Sequence, residues 1–344
     1  MHLFTPVEVR EVTARNRVML SPMCQYSCEA GDGLATDWHR VHLGSRAVGG
    51  AGIVMTEATA VTPRGRISPQ DLGIWSDAHA EALSPAAAFV ADHGAVPAIQ
   101  LAHAGRKASK RRPADGSDPI HGDGGAVAPR GAARNRAALD RRHHRARRRL
   151  GGRRRARRRR RLRGTRGPRR PRLPPPRVPL AGDQHREDAY GGDFEGRTRL
   201  LREVVDAVPG SVPLFVRTSA TDWLPDRESW TVDDSARLAA DLGPLGVDLV
   251  DVSAGGVHPD QEGPDTGSHY QVPYAERVAE SGVPAGAVGG IATPEGADAI
   301  VRNDRADLVV VGREHLRDPY FAIRAAQQLG HEAPVPQQYT RGFE

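Results

Sequence analysis

Short hydrophobic runs that alternate with longer helical patterns limit most strongly what this 344-residue chain can fold into. Each run is almost continuously apolar, which is typical of parallel strands that are covered on both faces. The runs predicted as strands are residues 17–22, 52–58, 96–102, 212–219, 247–253, 286–291 and 306–312. The helical patterns between them include residues 77–93, 195–208, 231–243 and 294–303. Such repeated βα units indicate either a doubly wound sheet or a (β/α)8 barrel.

Polar residues and glycines that follow the predicted strands distinguish between these two folds. They are Cys24, Gln25, Tyr26, Glu57, Thr59, Gln100, His103, Arg217, Asp222, Gly289, Gly312 and Arg313. A ring of strand ends that contributes to one site is how a TIM (β/α)8 barrel builds its active face. No GxGxxG motif follows the first strand, as a doubly wound dinucleotide-binding sheet would require. We therefore predict an α/β fold with a single TIM-barrel domain over residues 1–344.

One stretch of the chain does not fit this pattern. Residues 111–184, where the fourth strand should lie, are rich in arginine and proline. Residues 141–172 hold nineteen arginines and no acidic residue, so removing them changes the formal net charge from +7 to −12. A mildly acidic protein with one basic segment gives no reason to expect nucleic acid at its main site. Binding of nucleic acid through these arginines stays open as an alternative function.

Cysteine content and hydropathy exclude several other classes of protein. Cys24 and Cys28 are the only cysteines, too few for an iron–sulfur cluster or a disulfide framework. No apolar run reaches the roughly 18 residues that a membrane-spanning helix needs. The N-terminal sequence lacks the apolar core of a signal peptide. We expect a cytoplasmic protein that binds neither a membrane nor a metal ion.

Three groups of residues are candidates for a functional site. The glycine-rich ends of the last two strands could hold a phosphate, with Arg313 adding positive charge, or could simply form turns. Arg217 could stabilise an anionic ring or carboxylate, or could form a structural ion pair. Cys24 could be a buried spectator or a thiol that tunes a redox cofactor.

Ten short motifs in a fixed order make these candidates specific. They are "SPMCQYS", "EATAV" followed by "GR", "DLGIWSD", "IQLAHAGRK", "YGGDFEGRTRLLREVVDAV", "LFVRTSATDW", "VDVSAGG", "AVGGI", "GREHLRDPYFA" and "QYTRGF". Together they resemble the old yellow enzyme family, and most closely its shorter class of bacterial NADPH dehydrogenases and ene-reductases. The resemblance covers Met1 to about Lys110 and His185 to Glu344.

The resemblance implies non-covalently bound FMN, NADPH or NADH as hydride donor, and a small α,β-unsaturated substrate. The residues that it places around the flavin ring are Ser21, Pro22, Met23, Cys24, Ala58, Gln100 and Arg217. The residues that it assigns to the phosphate are Gly289, Gly290, Gly312 and Arg313. It gives catalytic roles to Cys24, which modulates the flavin potential, and to Tyr26, which faces the substrate. Arg341 matches an arginine that this class inserts into a neighbouring subunit's site, which implies a homo-oligomer.

The family's fourth strand carries two histidines and a tyrosine, in a motif close to "HAAHGYL", which this sequence lacks. With permitted codons read one nucleotide later, residues 166–184 can spell "EVHAAHGYLLHEFLSPATN". "HREDAYGG" then resumes in the original frame. We therefore hypothesise that an out-of-frame segment begins between Lys110 and Arg141 and ends at Gln184. The alternative interpretations are a disordered charged linker and a polybasic arm.

This hypothesis has consequences for folding and activity. Pro168 and Pro171 stand where the paired histidines would be, and Leu173 stands where the tyrosine would be. Prolines cannot donate hydrogen bonds to a central strand or to a substrate carbonyl. Without the fourth strand, the third and fifth strands would expose unpaired edges. We therefore predict that the chain folds poorly and has little activity, and an inactive frameshifted product is the second alternative.

Overall fold

The three-dimensional structure is a computed structural model. It describes residues 1–105, 108, 109, 111, 176, 177, 188–256 and 260–343. Most of the arginine- and proline-rich segment, including the predicted frame shift and the positions of its missing motif, lies outside these residues. The predicted organisation of residues 1–344 as one domain therefore stays a prediction.

Seven strands form at the seven predicted places. They are β3 (Val18–Leu20), β4 (Ile53–Ala60), β5 (Val96–Ala102), β7 (Phe215–Ser219), β8 (Leu249–Ser253), β9 (Ala285–Ala287) and β10 (Leu308–Val311). They belong to one sheet with the order β6-β5-β4-β3-β10-β9-β8-β7, in which every neighbouring pair is parallel. This is the strand order of the predicted barrel, followed around its wall.

The strand β6 (Pro176–Arg177) lies where the fourth barrel strand belongs. It pairs only with Leu101 and Ala102, the last two residues of β5. Within the described residues, β7 has β8 as its single strand partner. Most of the arginine- and proline-rich segment lies outside the described residues, so the prediction that this chain lacks a full fourth strand stays a prediction.

Helices connect the strands along most of the chain. They are α1 (Asp37–Val48), α2 (Asp77–Asp92), α3 (Phe194–Ala207), α4 (Val232–Leu242), α5 (Val272–Ala279), α6 (Pro294–Arg302), α7 (Arg313–Arg317) and α8 (Phe321–Gln328). The four predicted helices are confirmed as α2, α3, α4 and α6. The predicted start of α6 is also confirmed, because Thr293 Oγ1 accepts a hydrogen bond from the Gly296 N–H ahead of the first turn.

An antiparallel hairpin precedes the barrel and consists of β1 (Val7–Val9) and β2 (Val12–Ala14). Between this hairpin and the starts of three barrel strands lies an apolar cavity with an empty volume of about 490 Å³, which includes open solvent. Its lining residues are Val7, Val9, Val12, Ala14, Ile53, Val96, Pro97, Ala98, Pro213 and Phe215. The strands β5 and β7 contribute four of these ten lining residues.

Arg15 joins the hairpin to the helical layer. Its guanidinium donates hydrogen bonds to the backbone carbonyls of Ala47 at 2.7 Å, Ala51 at 3.0 Å and His93 at 3.0 Å. Burial lowers the pKa of Arg15 to about 10, so the group still carries its charge at neutral pH. Ala47 is in the last turn of α1 and His93 ends α2, where carbonyl dipoles favour a cation. One charged side chain thus satisfies carbonyls from two helix ends.

We expect Arg15→Met to lower the free energy of unfolding by about 2–4 kcal/mol, because three carbonyls lose a charged donor. Urea denaturation of the full chain measures this change. Arg64→Met is the matched control, since Arg64 is exposed in the 3-10 helix Pro63–Gly65, and should change stability by less than about 0.5 kcal/mol. Equal changes in the two variants would contradict the structural role of Arg15.

Candidate functional site

The carboxyl ends of three strands meet around Ser21. Ser21 follows β3, and its N–H donates a hydrogen bond to the carbonyl of Val311 in β10 at 2.9 Å. Its Oγ lies 3.3 Å from Arg217 Nη1, which comes from β7. A Cβ added to Gly312 would lie 3.8 Å from both Ser21 Cβ and Met23 Sδ. The structure therefore brings together four residues that the sequence assigns to one site.

Arg217 forms a buried ion pair with Asp251. The two residues are register partners in β7 and β8, and Arg217 Nη1 lies 2.7 Å from Asp251 Oδ2. Their side chains are 11% and 4% exposed, so water does not screen the pair strongly. The structural ion pair considered for Arg217 is therefore present. Arg217 Nε and Asp251 Oδ1 are nevertheless buried with no hydrogen-bond partner among the described residues.

Gln100 lies on the neighbouring side of the barrel mouth. It is the register partner of Ala58 in β4, and its N–H donates to Thr56 Oγ1 at 3.1 Å. The Gln100 side chain is buried, and its Oε1 is a further buried acceptor with no partner in the described part of the chain. An unpaired buried polar atom costs about 1–3 kcal/mol. Gln100 and Arg217 therefore carry polar atoms that a bound molecule with donors and acceptors would satisfy.

The loop after β3 holds the candidate residues Cys24 and Tyr26. Tyr26 has a left-handed backbone with φ of +51°, which is uncommon for a residue other than glycine. Burial raises the pKa of the Tyr26 phenol, and a hydrogen bond with the Cys24 side chain raises it further. Tyr26 is therefore a protonated phenol at neutral pH. Cys28 is not part of this pair, because its Sγ donates to the Leu34 carbonyl at 3.2 Å.

Asp71 is an acidic residue whose charge acts on the Tyr26 phenol of this loop. Its carboxylate accepts hydrogen bonds from Ile67 N at 2.7 Å and from Ser68 Oγ at 3.1 Å. Burial nevertheless raises the pKa of Asp71 to about 6, with a smaller contribution from the charge of Glu57. Both carboxylates also raise the pKa of Tyr26. Asp71 and Glu57 therefore disfavour additional negative charge on this side of the site.

The candidate phosphate corner has a backbone that requires glycine. Gly289 and Gly290 have φ of +111° and +68°, and a Cβ on Gly290 would lie 2.2 Å from the Gly267 carbonyl oxygen. The turn interpretation of these glycines is thus sufficient to explain them. Arg313, the first residue of α7, is exposed and has no ionic partner in the described part of the chain.

Arg341 is the last of the predicted site residues along the chain. It is exposed in the C-terminal 3-10 helix Gln337–Gly342. In the same helix, the ring of Tyr339 packs against Tyr320 with 6.0 Å between the ring centroids. Insertion of Arg341 into a neighbouring subunit stays a prediction.

Sequence reasoning did not identify Asp251 or His39 as part of this region. Asp251 interrupts the apolar run "LVDVS", and an acidic residue within a buried strand signals a partner on a neighbouring strand. His39 lies in α1, a helix that was not predicted. Among residues 1–105, 188–256 and 260–343, no cluster of side chains is suited to a metal ion, and no helix is long and apolar enough to cross a membrane.

Comparison with known proteins identifies two matching stretches of the chain. The sequence model of the NADH:flavin oxidoreductase / NADH oxidase family matches residues 2–143 and 180–332. The unmatched residues between them lie within the arginine- and proline-rich segment.

Two bacterial relatives extend the similarity to the whole chain. The NADPH dehydrogenase of Geobacillus thermodenitrificans (strain NG80-2) is 40% identical in an alignment of 344 positions, which covers 99% of this chain and 98% of the relative. The NADPH dehydrogenase of Geobacillus sp. (strain WCH70) is also 40% identical, over 352 aligned residues with the same coverage. This level of identity over full length shows shared family membership.

Solved structures show the fold independently. Morphinone reductase superposes with a TM-score of 0.69 at 22% identity, covering 96% of this chain and 90% of that chain. The old yellow enzyme homologue from Zymomonas mobilis superposes with a TM-score of 0.70 at 21% identity, covering 97% and 94%. The predicted TIM barrel of the old yellow enzyme type is thus confirmed. The chain belongs to the NADH:flavin oxidoreductase / NADH oxidase family.

Proposed function

We propose that this chain is an FMN-dependent oxidoreductase that passes hydride from NADPH to the β-carbon of an activated alkene. The observation that carries the proposal is the pair of buried, unpartnered polar atoms, Gln100 Oε1 and Arg217 Nε, at one barrel mouth. They are an acceptor and a donor, which suits a planar ring that presents both kinds of group. The names of the two relatives support NADPH as the donor.

The residues present fit FMN at this mouth. Ser21, Pro22, Met23 and Cys24 follow one strand end, with Ala58 and Gln100 on the adjoining strands. The phosphate would lie at the corner of Gly289, Gly290, Gly312 and Arg313. When bound, FMN supplies the hydride-transfer chemistry that amino-acid side chains lack.

Arg217 would place positive charge where a reduced ring accumulates negative charge. A preorganised cation in a water-excluded site stabilises developing charge more strongly than it would in water. Asp251 neutralises part of this charge through the 2.7 Å contact. Asp251 thus holds the guanidinium in place but also weakens its field, so that the site favours a ring anion only moderately.

Cys24 and Tyr26 would act on the open side of the ring. Tyr26 keeps its proton at neutral pH, so its hydroxyl can donate a hydrogen bond to a substrate. The Cys24 thiol, which is hydrogen-bonded to Tyr26, would modulate the reduction potential of the flavin ring. Exposed Arg341 is available for the predicted contact with a neighbouring subunit, and a homo-oligomer is part of this proposal.

The weak point of the proposed enzyme is polarisation of the substrate carbonyl. The resemblance requires two histidines and a tyrosine from the fourth strand, where the sequence has Pro168, Pro171 and Leu173. Proline and leucine side chains have no donor to offer. We therefore propose that the chain with this sequence has low activity and reduced stability, although it retains the residues that would bind the flavin.

Replacing residues 166–184 with "EVHAAHGYLLHEFLSPATN" should raise kcat/KM for 2-cyclohexen-1-one about 100-fold or more, because donors to a developing oxyanion return. NADPH oxidation followed at 340 nm, with flavin content measured in parallel, gives the comparison. A variant carrying the same nineteen residues in scrambled order is the control. Brisk enone reduction with stoichiometric FMN in the printed chain would refute the impairment.

Arg313→Gln should raise the Kd for FMN about tenfold or more, which corresponds to about 1.4 kcal/mol. Riboflavin lacks the phosphate, so its Kd should stay unchanged in the variant. Flavin fluorescence quenching measures both constants. Arg317→Gln, four residues further along the same helix, is the matched control because Arg317 pairs with Glu314. A parallel loss of riboflavin affinity would contradict a phosphate contact.

A second candidate function rests on the nineteen arginines of residues 141–172. A polybasic segment binds duplexes of any sequence, with an affinity that falls steeply as salt rises. If this function holds, a random 20-base-pair duplex binds in low salt and is released at physiological salt. Binding of FMN without any retention of the duplex would leave the flavin enzyme as the single proposal.

A further inference from the structure

Glu57 is a buried carboxylate in the barrel wall that the proposed chemistry leaves without a role. It lies within β4 and is 4% exposed. A charged carboxylate in such surroundings is costly unless hydrogen bonds or a partner compensate it. The contacts of Glu57 therefore indicate what the residue does.

A β-bulge aims Glu57 away from the regular ladder. The pairing of β4 with β5 shifts register between Met55 and Ala58, on either side of Thr56 and Glu57. Thr56 Oγ1 accepts the hydrogen bond from the Gln100 N–H, and Thr59 Oγ1 donates to the Glu57 carbonyl at 2.8 Å. Bulges commonly re-aim a side chain next to an active site.

The Glu57 carboxylate bridges two elements. Its Oε2 accepts a hydrogen bond from the Gln25 N–H at 2.8 Å, and its Oε1 lies 3.1 Å from His39 Nε2 in α1. His39 Nδ1 accepts a hydrogen bond from the Thr36 N–H at 3.0 Å. Nε2 is therefore the His39 ring nitrogen that faces Glu57, although neither Nε2 nor Glu57 Oε1 has a hydrogen-bond partner among the described residues. Glu57 thus connects the loop after β3 to the first turn of α1.

Gln25 is the residue between Cys24 and Tyr26, so its backbone position sets the placement of both. Tyr26 adopts its left-handed backbone directly after Gln25, a strained conformation for a residue other than glycine that surrounding contacts must offset. Gln25 Nε2 donates to the Met23 carbonyl at 2.9 Å, and Gln25 Oε1 accepts from Trp38 Nε1 at 3.1 Å. The Gln25 backbone N–H, which donates to Glu57, is a further anchor of this loop and lies between Cys24 and Tyr26.

We propose that Glu57 is a positioning residue, which holds the Cys24–Tyr26 pair at the barrel mouth through the Gln25 N–H. The importance of that pair rests on the proposed flavin function, whereas the positioning itself does not. Glutamine at position 57 is a neutral acceptor with a single oxygen, so it binds the Gln25 N–H more weakly than a carboxylate does and turns an amide N–H toward His39 Nε2.

Alkylation of the full chain with iodoacetamide, followed by mass spectrometry, tests this proposal without flavin or NADPH. Cys24 is half-buried and Cys28 is buried. In one sample, the alkylation rate of Cys24 therefore reports local opening of the loop, and that of Cys28 reports unfolding on a larger scale. In Glu57→Gln, Cys24 should react at least about threefold faster while Cys28 stays protected. Glu8→Gln, an exposed substitution in β1, should leave both rates unchanged.

A second variant keeps the test decisive if Glu57→Gln is unstable. His39→Met removes the ring that faces Glu57 Oε1 at 3.1 Å and should accelerate Cys24 less, since the hydrogen bond from the Gln25 N–H remains. The double variant should react no faster than Glu57→Gln, because both residues act through Gln25. An unchanged Cys24 rate, or equal acceleration of Cys24 and Cys28, would overturn the proposal. Failure of flavin binding would leave these results unaffected, so the two proposals fail separately.

Discussion

Parallel pairing between neighbouring strands is the constraint on which the candidate site depends. It sets Arg217 opposite Asp251, places Ala58 opposite Gln100, and lets the Ser21 N–H reach β10. A slip of one residue would turn alternate side chains to the other face of the wall. Because all carboxyl ends lie at the same rim, residues about 200 positions apart, such as Ser21 and Arg217, come within hydrogen-bonding distance.

The buried charges of the described barrel are compensated in two different ways. At the mouth, Arg217 pairs with Asp251, and Glu57 accepts a hydrogen bond from the Gln25 N–H and faces His39 at 3.1 Å, so that charge is held between strands and loops. Away from the mouth, Arg15 binds backbone carbonyls at helix ends and has no carboxylate there. The first arrangement leaves polar atoms free for a ligand, whereas the second consumes its donors in holding the fold together. The presence of a buried charged side chain therefore does not by itself identify the functional site.

The strands could be predicted from sequence because each is a continuous run of apolar residues. The positions of the site residues could then be predicted, because they follow the ends of these strands. Helix α1 could not be predicted in this way, because polar residues, namely His39, His42 and Arg46, occupy part of its buried face and interrupt the apolar pattern. The Arg217–Asp251 pair and the bulge at Glu57 depend on strand register, which a single sequence does not display. The two-residue β6 was also unexpected, since prolines disfavour strands. Sequence thus located the rim of the site but not the contacts that fix its side chains.

A crystal structure of the full chain with FMN tests the central claim most directly, namely that these strand ends form one flavin site. The account predicts an isoalloxazine ring that hydrogen-bonds to Gln100 Oε1 and Arg217 Nε, which have no partner within the described residues. The Arg217–Asp251 contact should persist in that complex. A flavin bound elsewhere, with these two atoms still without a partner, would contradict the account.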